Sequence, residues 1–119
     1  MANITSHHDG HGLNEMIRIE KDDPGPGGAS HYFTFLNDGA VCGFIEFQKG
    51  PRGVIGSTPG ATELAVLAVI RDRLESFQAG PYACEENAEA LNRVNEAMRL
   101  MKERADKRAA RGVLGTYQK

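Results

Sequence analysis

Apolar residues in the second half of the chain recur at helical spacing. Leu64, Leu67, Ile70, Leu74 and Phe77 follow one another at intervals of three or four, which lines them along one stripe of a helix over residues 61–78. Val66 and Val69 widen that stripe, so the helix is expected to meet neighbours on two sides. Ala79, Gly80 and Pro81 end it, with Gly80 as the expected left-handed cap and Pro81 barring continuation. Leu91, Val94, Met98, Met101 and Ala105 then make a seam close to heptad spacing along a second helix, residues 83–111, which Gly112 stops. The short connection predicts an antiparallel αα-hairpin.

In the first half the period changes to two. Ile17 and Ile19 alternate with Met16, Arg18 and Glu20, and residues 31–36 place Tyr32, Thr34 and Leu36 opposite His31, Phe33 and Phe35. Asn37-Asp38-Gly39 supplies a hairpin turn into a return strand over 41–48. Residues 21–30, rich in Pro and Gly, form a loop, and residues 1–14 read as a flexible tail. About three strands result, a sheet too small to stand without a helix against one face. The expected fold is α+β, a small N-terminal antiparallel β-meander packed on a long antiparallel αα-hairpin. Its single domain, 15–119, divides into sheet and loop (15–58), hairpin (59–112) and C-terminal tail (113–119).

Lys49 to Gly60 holds four glycines and two prolines, a loop whose exposed N–H groups suit approach to a phosphate, with Val54 and Ile55 as its expected anchors. No Gly-Lys-Ser/Thr ends it, so it is not a phosphate-loop motif, and most such loops only connect.

Charge sharpens this picture. The 119 residues carry 16 acids against 14 Lys plus Arg, which argues against a general nucleic-acid binder. Residues 102–111, however, hold five bases and two acids, a local patch suited to a small anion. No apolar run approaches membrane-spanning length and the N-terminus has no signal-peptide core, so neither a membrane nor export is expected. Cys42 and Cys84 read as reduced, buried small hydrophobes. His7, His8 and His11 lie in the tail with nothing to fix coordination geometry, and neither metal nor cofactor is expected.

Arg104, Arg108 and Arg111 fall at i, i+4 and i+7, on one side of the second helix. Part of this is what a helix C-terminus tolerates through its dipole. The stack otherwise repels itself unless an anion meets it. Phe77 offers a flat face to a purine, Asn87 an amide for a base edge, Arg104 and Arg108 forked donors for phosphates, and Arg52 a further contact. Each has a plain alternative: core for Phe77, a solvated helix position for Asn87, surface charge for Arg52. Asn87 and Arg104 are separated by 17 residues, about 25 Å along a helix. One ligand cannot touch both ends within one chain. Antiparallel twofold pairing of the second helix with its copy would bring them together.

The stretches Phe47-Gln48-Lys49-Gly50-Pro51, Ile70 through Ala88 (Ile-Arg-Asp-Arg-Leu-Glu-Ser-Phe-Gln-Ala-Gly-Pro-Tyr-Ala-Cys-Glu-Glu-Asn-Ala) and Asp106 through Thr116 resemble the phage Thoeris anti-defence sponge proteins. Their helical hairpin is shared with an anti-CBASS sponge family. The resemblance covers residues 40–117. It implies a non-enzyme in the cytoplasm of the infected bacterial host that sequesters cyclic ADP-ribose isomers. It also implies homodimers, in some members hexamers built as trimers of dimers, that hold cyclic di- or trinucleotides in separate sites. By position the ADP-ribose pocket would use Phe77, Asn87, Arg104 and Arg108, with Arg52 beside them; Arg111, Gly112 and Thr116 would serve the second site. The chain departs from the family at Glu85 (commonly Arg), Leu114 (commonly an acid) and Tyr117 (commonly His).

Two other functions compete. A phage structural or nucleic-acid-associated dimer would set the basic helix end on DNA, although no DNA partner is expected. An enzyme cleaving the nucleotide would have His31 as its one ordered acid–base residue.

Overall fold

The computed structural model describes residues 2–51 and 53–116. Arg52 and Tyr117 lie outside the described residues. The chain forms two compact units, residues 1–61 and 62–119.

The first unit is a four-stranded antiparallel sheet in the order β1 (Ala2–Ile4), β2 (Ile17–Lys21), β3 (Tyr32–Asn37) and β4 (Ala40–Glu46). The α+β architecture, sheet first and two helices after, is as expected. The β3–β4 turn has Asp38 at φ 48° and Gly39 at φ 82°, the two left-handed positions that match a hairpin to the twist of its strands. A bulge interrupts the pair where Phe35 faces Gly43 but Leu36 faces Val41, leaving Cys42 as the extra residue. One face sets Tyr32 against Phe44 in a stack 5.5 Å between centroids, above buried Leu36. The opposite face carries Ile19, Phe33, Phe35 and Ile45, all half-buried.

Four strands replace the expected three because the tail read over 1–14 is structured. Ala2–Ile4 pairs with Ile19–Lys21. His7 Nε2 lies 2.6 Å from the Ile17 carbonyl. The Glu15 carboxylate accepts the N–H groups of Asp9, Gly10 and Gly12 at 2.7, 3.1 and 2.6 Å. These bonds, chiefly those from Gly10 and Gly12, hold its pKa down at about 2. A three-residue edge strand has too few positions to show a period.

The loop after β4 is closed on itself. Lys49 and Thr58 exchange both backbone hydrogen bonds at 2.8 Å, and the Val54 and Ser57 N–H groups go to Pro51 and Val54 carbonyls. Those donors are spent within the loop, contrary to the expectation that they would be offered to a phosphate. Val54 is half-buried, whereas Ile55, expected as a second anchor, is fully exposed.

The second unit is the hairpin of α1 (Glu63–Gln78) and α2 (Glu85–Ala110). Thr62 caps α1, its Oγ1 accepting the Ala65 N–H at 3.1 Å. Gly80 is not at positive φ, so it is not the left-handed cap expected of it. The turn is held by Gln78 instead: its Nε2 donates to the Cys84 carbonyl and its Oε1 accepts the Cys84 N–H, at 3.1 and 3.0 Å. Both cysteines are exposed, contrary to expectation. Cys84 Sγ accepts the Asn87 N–H at 3.4 Å, capping α2, and Cys42 Sγ lies against the Phe35 carbonyl. At its far end α2 stops in a Schellman turn: Gly112 sits at φ 73°, its N–H reaches Ala109, and the Val113 N–H reaches Arg108. Val113 is thereby buried, and Met98 is the buried residue of α2.

Candidate functional site

With 16 and 26 residues, α1 and α2 run about 24 and 39 Å. Because the connecting turn sets α1's end beside α2's start, the last turns of α2 continue past the start of α1. On that overhang Leu100, Glu103, Arg104, Lys107, Arg108 and Arg111 line a concavity of about 540 Å³. Four cations face one carboxylate there. Glu103 is held by Lys107 at 3.0 Å and Arg99 at 2.7 Å, and these cations, Lys107 foremost, keep its carboxyl below the usual carboxylate range. Among the described residues Arg104 has neither a hydrogen bond nor an ion pair.

Arg108 plays a second part. Its Nη2 donates to the Val113 carbonyl at 3.0 Å and to the Thr116 carbonyl at 3.1 Å, tying down the turn that follows α2. The Thr116 hydroxyl closes the same turn on Val113 at 2.6 Å. Gly112 and Thr116, expected in a second ligand site, are thus the hinge and the last link of this fold-back. Nε and Nη1 of Arg108 have no partner among the described residues, so one side chain can both hold the turn and face an anion.

The other end of the hairpin holds a second concavity of about 380 Å³, lined by Asp72, Arg73, Ser76, Phe77, Gly80, Pro81 and Tyr82. Phe77 is 42% exposed and lies outside the core. The Arg73 guanidinium rests over its ring, 5.5 Å from the centroid. Asn87 does not line this cavity; it is half-buried in the first turn of α2. The arginines therefore share one cavity, Phe77 lines another, and the two are separated along α2 by the length the sequence spacing requires.

Sequence reading missed Asp72, Arg73, Ser76 and Tyr82 at the turn, and Lys107 at the basic end. Arg73 stands one helical turn before Phe77 and Ser76 one turn after Asp72, a signal available from i, i+4 spacing alone. His31 belongs to the first unit; its Nε2 is buried without a hydrogen-bond partner among the described residues. No group of three or more His, Cys, Asp or Glu among the described residues is placed to hold a metal.

No family model matches the chain. It is 33% identical over 95 residues to a protein named Thoeris anti-defense 1 from Bacillus phage SBSphiJ7, across 80% of this chain and 66% of that relative. The chain belongs to the Thoeris anti-defence family. The match is too long to fit between residue 40 and the C-terminus, so it takes in sheet residues ahead of β4 as well as the hairpin. It leaves about a third of the Thoeris anti-defence relative without a counterpart.

Proposed function

We propose that this Thoeris anti-defence family member acts by binding and sequestering cyclic nucleotide immune signals without cleaving them. Cyclic ADP-ribose isomers are the first ligand class and cyclic di- or trinucleotides the second. The observation that carries the reading is the basic concavity at the end of α2, which three arginines and a lysine line and where Arg104 has no partner among the described residues. A local hollow of this size suits one or two phosphates rather than an extended polyanion. Phe77, exposed and already carrying a guanidinium on its ring, supplies the stacking surface for a base.

The two cavities serve one ligand only if two copies pair. In the proposed homodimer, α2 lies antiparallel to its copy, so that Arg104 and Arg108 of one protomer stand beside Phe77 and Asn87 of its partner. Two equal pockets result. Arg111, Gly112 and Thr116 would take the second ligand class if dimers associate further into trimers of dimers.

Isothermal titration calorimetry with cyclic ADP-ribose isomers, on wild type and on Phe77→Ala and Arg104→Ala, tests the site. Loss of the binding heat in both variants is expected, and unchanged heats in both would remove it. Ligand recovered intact from the denatured complex is expected of a sponge; linearised ligand would indicate an enzyme. Binding of DNA with equal avidity and steep salt dependence would favour the nucleic-acid reading instead.

A further inference from the structure

The concavity at the end of α2 is basic but not uniformly so. Among the described residues that line it, Glu103 is the one acid, on the same stretch of helix as Leu100, Arg104 and Lys107. A site built only to attract phosphate gains nothing from a carboxylate set among its cations. Both oxygens of Glu103 are engaged: Lys107 Nζ lies 3.0 Å from Oε1 and Arg99 Nη1 2.7 Å from Oε2. These cations, Lys107 foremost, hold its carboxyl below the usual carboxylate range, so it is ionised at neutral pH. Arg99 is shared with Glu96 and does not line the concavity. Lys107 does line it, so the ammonium that Glu103 takes is one an incoming anion would otherwise use. Pairs of this kind on an exposed helix face add little to stability, which leaves their effect on the ligand as the larger one.

That effect does not depend on how a ligand is posed. A hollow of about 540 Å³ equals a sphere about 10 Å across, so an anion anywhere in it stays within about one Debye length of the carboxylate. The repulsion grows in proportion to the anion's charge. The pyrophosphate of a cyclic ADP-ribose isomer is esterified at both ends and keeps one negative charge on each phosphate. A nucleoside triphosphate ends in a phosphate with a second ionisation near neutral pH and carries about four charges. One fixed carboxylate therefore weakens the triphosphate by the square of the factor by which it weakens the pyrophosphate. Nucleoside triphosphates are abundant in any cell, and a binder that accepted them would be filled before a scarcer ligand arrived.

We infer that Glu103 is the specificity-determining residue of the basic concavity: by its own charge, and by holding Lys107, it selects pyrophosphate diesters over the more highly charged nucleoside triphosphates. The inference rests on the sequestration reading above and deepens it.

The test is calorimetry on the full-length protein with two ligands that share a base and differ in charge, a cyclic ADP-ribose isomer and magnesium-free adenosine triphosphate. Glu103→Gln, which removes the charge and releases Lys107, is expected to bind the isomer about threefold tighter than wild type and adenosine triphosphate about tenfold tighter. The excess gain for the triphosphate should shrink as salt is raised. Glu103→Asp keeps the charge on a side chain one methylene shorter, which loosens its hold on Arg99 and Lys107. It should preserve the wild-type preference to within about twofold even if its thermal melting shifts, whereas a purely structural role would make both variants behave alike. Equal gains for the two ligands in Glu103→Gln, or no gain for adenosine triphosphate, overturn the selecting role and leave sequestration standing. An isomer that wild type does not bind overturns both.

Discussion

Replacing Arg104 or Arg108 by alanine should weaken ligand binding in both cases yet destabilise the protein in only one. Arg104 makes no bond to the rest of the described chain, so Arg104→Ala is expected to leave stability within about 0.5 kcal/mol, as for an ordinary surface position. Arg108 spends Nη2 on two backbone carbonyls of the turn after α2. Hydrogen bonds from a charged donor contribute about 1.5–3 kcal/mol each when shielded from water. Here the bond to Val113 is partly buried and the bond to Thr116 is not. A joint loss of about 2 kcal/mol follows from counting the first in full and the second at a fraction. With a urea slope of about 1–2 kcal/mol per molar for a unit this small, the midpoint should fall by roughly 1–2 M.

Equilibrium urea unfolding followed by far-UV circular dichroism measures both variants, and calorimetry on the same preparations measures binding. Arg108→Lys separates the two roles further. It retains the charge that faces an anion but not a planar fork that spans two carbonyls. It should therefore recover binding better than stability. An Arg108→Ala midpoint equal to that of Arg104→Ala would refute the account of how the turn is held, whatever the binding data show.

Three other expectations follow from the geometry. A Cβ at Gly60 would stand 2.6–2.7 Å from the backbone of Glu46, Phe47 and Gln48, so Gly60→Ala should cost about 1–3 kcal/mol in chemical denaturation, and a neutral result would mean the loop base is not packed this way. Sulfur is a poor N-cap acceptor, so Cys84→Ser should stabilise the hairpin by about 0.5–1 kcal/mol in the same assay; a loss of stability would speak against the thiol as cap. Glu15 has its folded pKa depressed to about 2 from the ordinary 4.5, so its contribution is present above pH 4.5 and is lost as pH falls from there towards 2. Protection of the Gly10 and Gly12 amides, measured relative to their intrinsic exchange rate at each pH, should fall as pH drops through that window in wild type and be lost already at neutral pH in Glu15→Gln; pH-independent protection in wild type would contradict the carboxylate's role.

The helices were legible because each carries enough residues for its period to show. Five apolar positions along α1 and five along α2 fixed both elements to within about two residues at each end. The Asn37-Asp38-Gly39 turn was equally plain, since two successive left-handed positions suit few other sequences. Ala2–Ile4 was not, because it offers one strongly apolar side chain and its place depends on pairing with β2. The turn at 79–84 misled for a different reason. Gly80 and Pro81 resemble a glycine cap, yet the connection is held by the Gln78 side chain, and a glutamine clasp leaves no local pattern. At the candidate site the spacing of the arginines placed three of them in one cavity. That one of them also holds the C-terminal turn could not be read from spacing, because it depends on where Val113 and Thr116 fold back.

The departure at Glu85 acquires a physical reason once α2 is considered whole. Residues 85–97 hold four acids and one base, whereas residues 98–110 hold five bases and two acids. Glu85 and Glu86 occupy the first turn and Lys107 and Arg108 the last, the arrangement a helix dipole rewards at both ends. Glu85 does not line the turn cavity, so its acid need not face the ligand's phosphates. The same segregation bears on how two copies would meet. Parallel pairing of α2 would set acid against acid and base against base along its length; antiparallel pairing sets each acidic half against a basic one. An arginine at position 85 would weaken that complementarity at the helix start. In the proposed dimer the first turn of α2 would favour the antiparallel pairing, and the phosphate charge would be left to the arginines of the second copy.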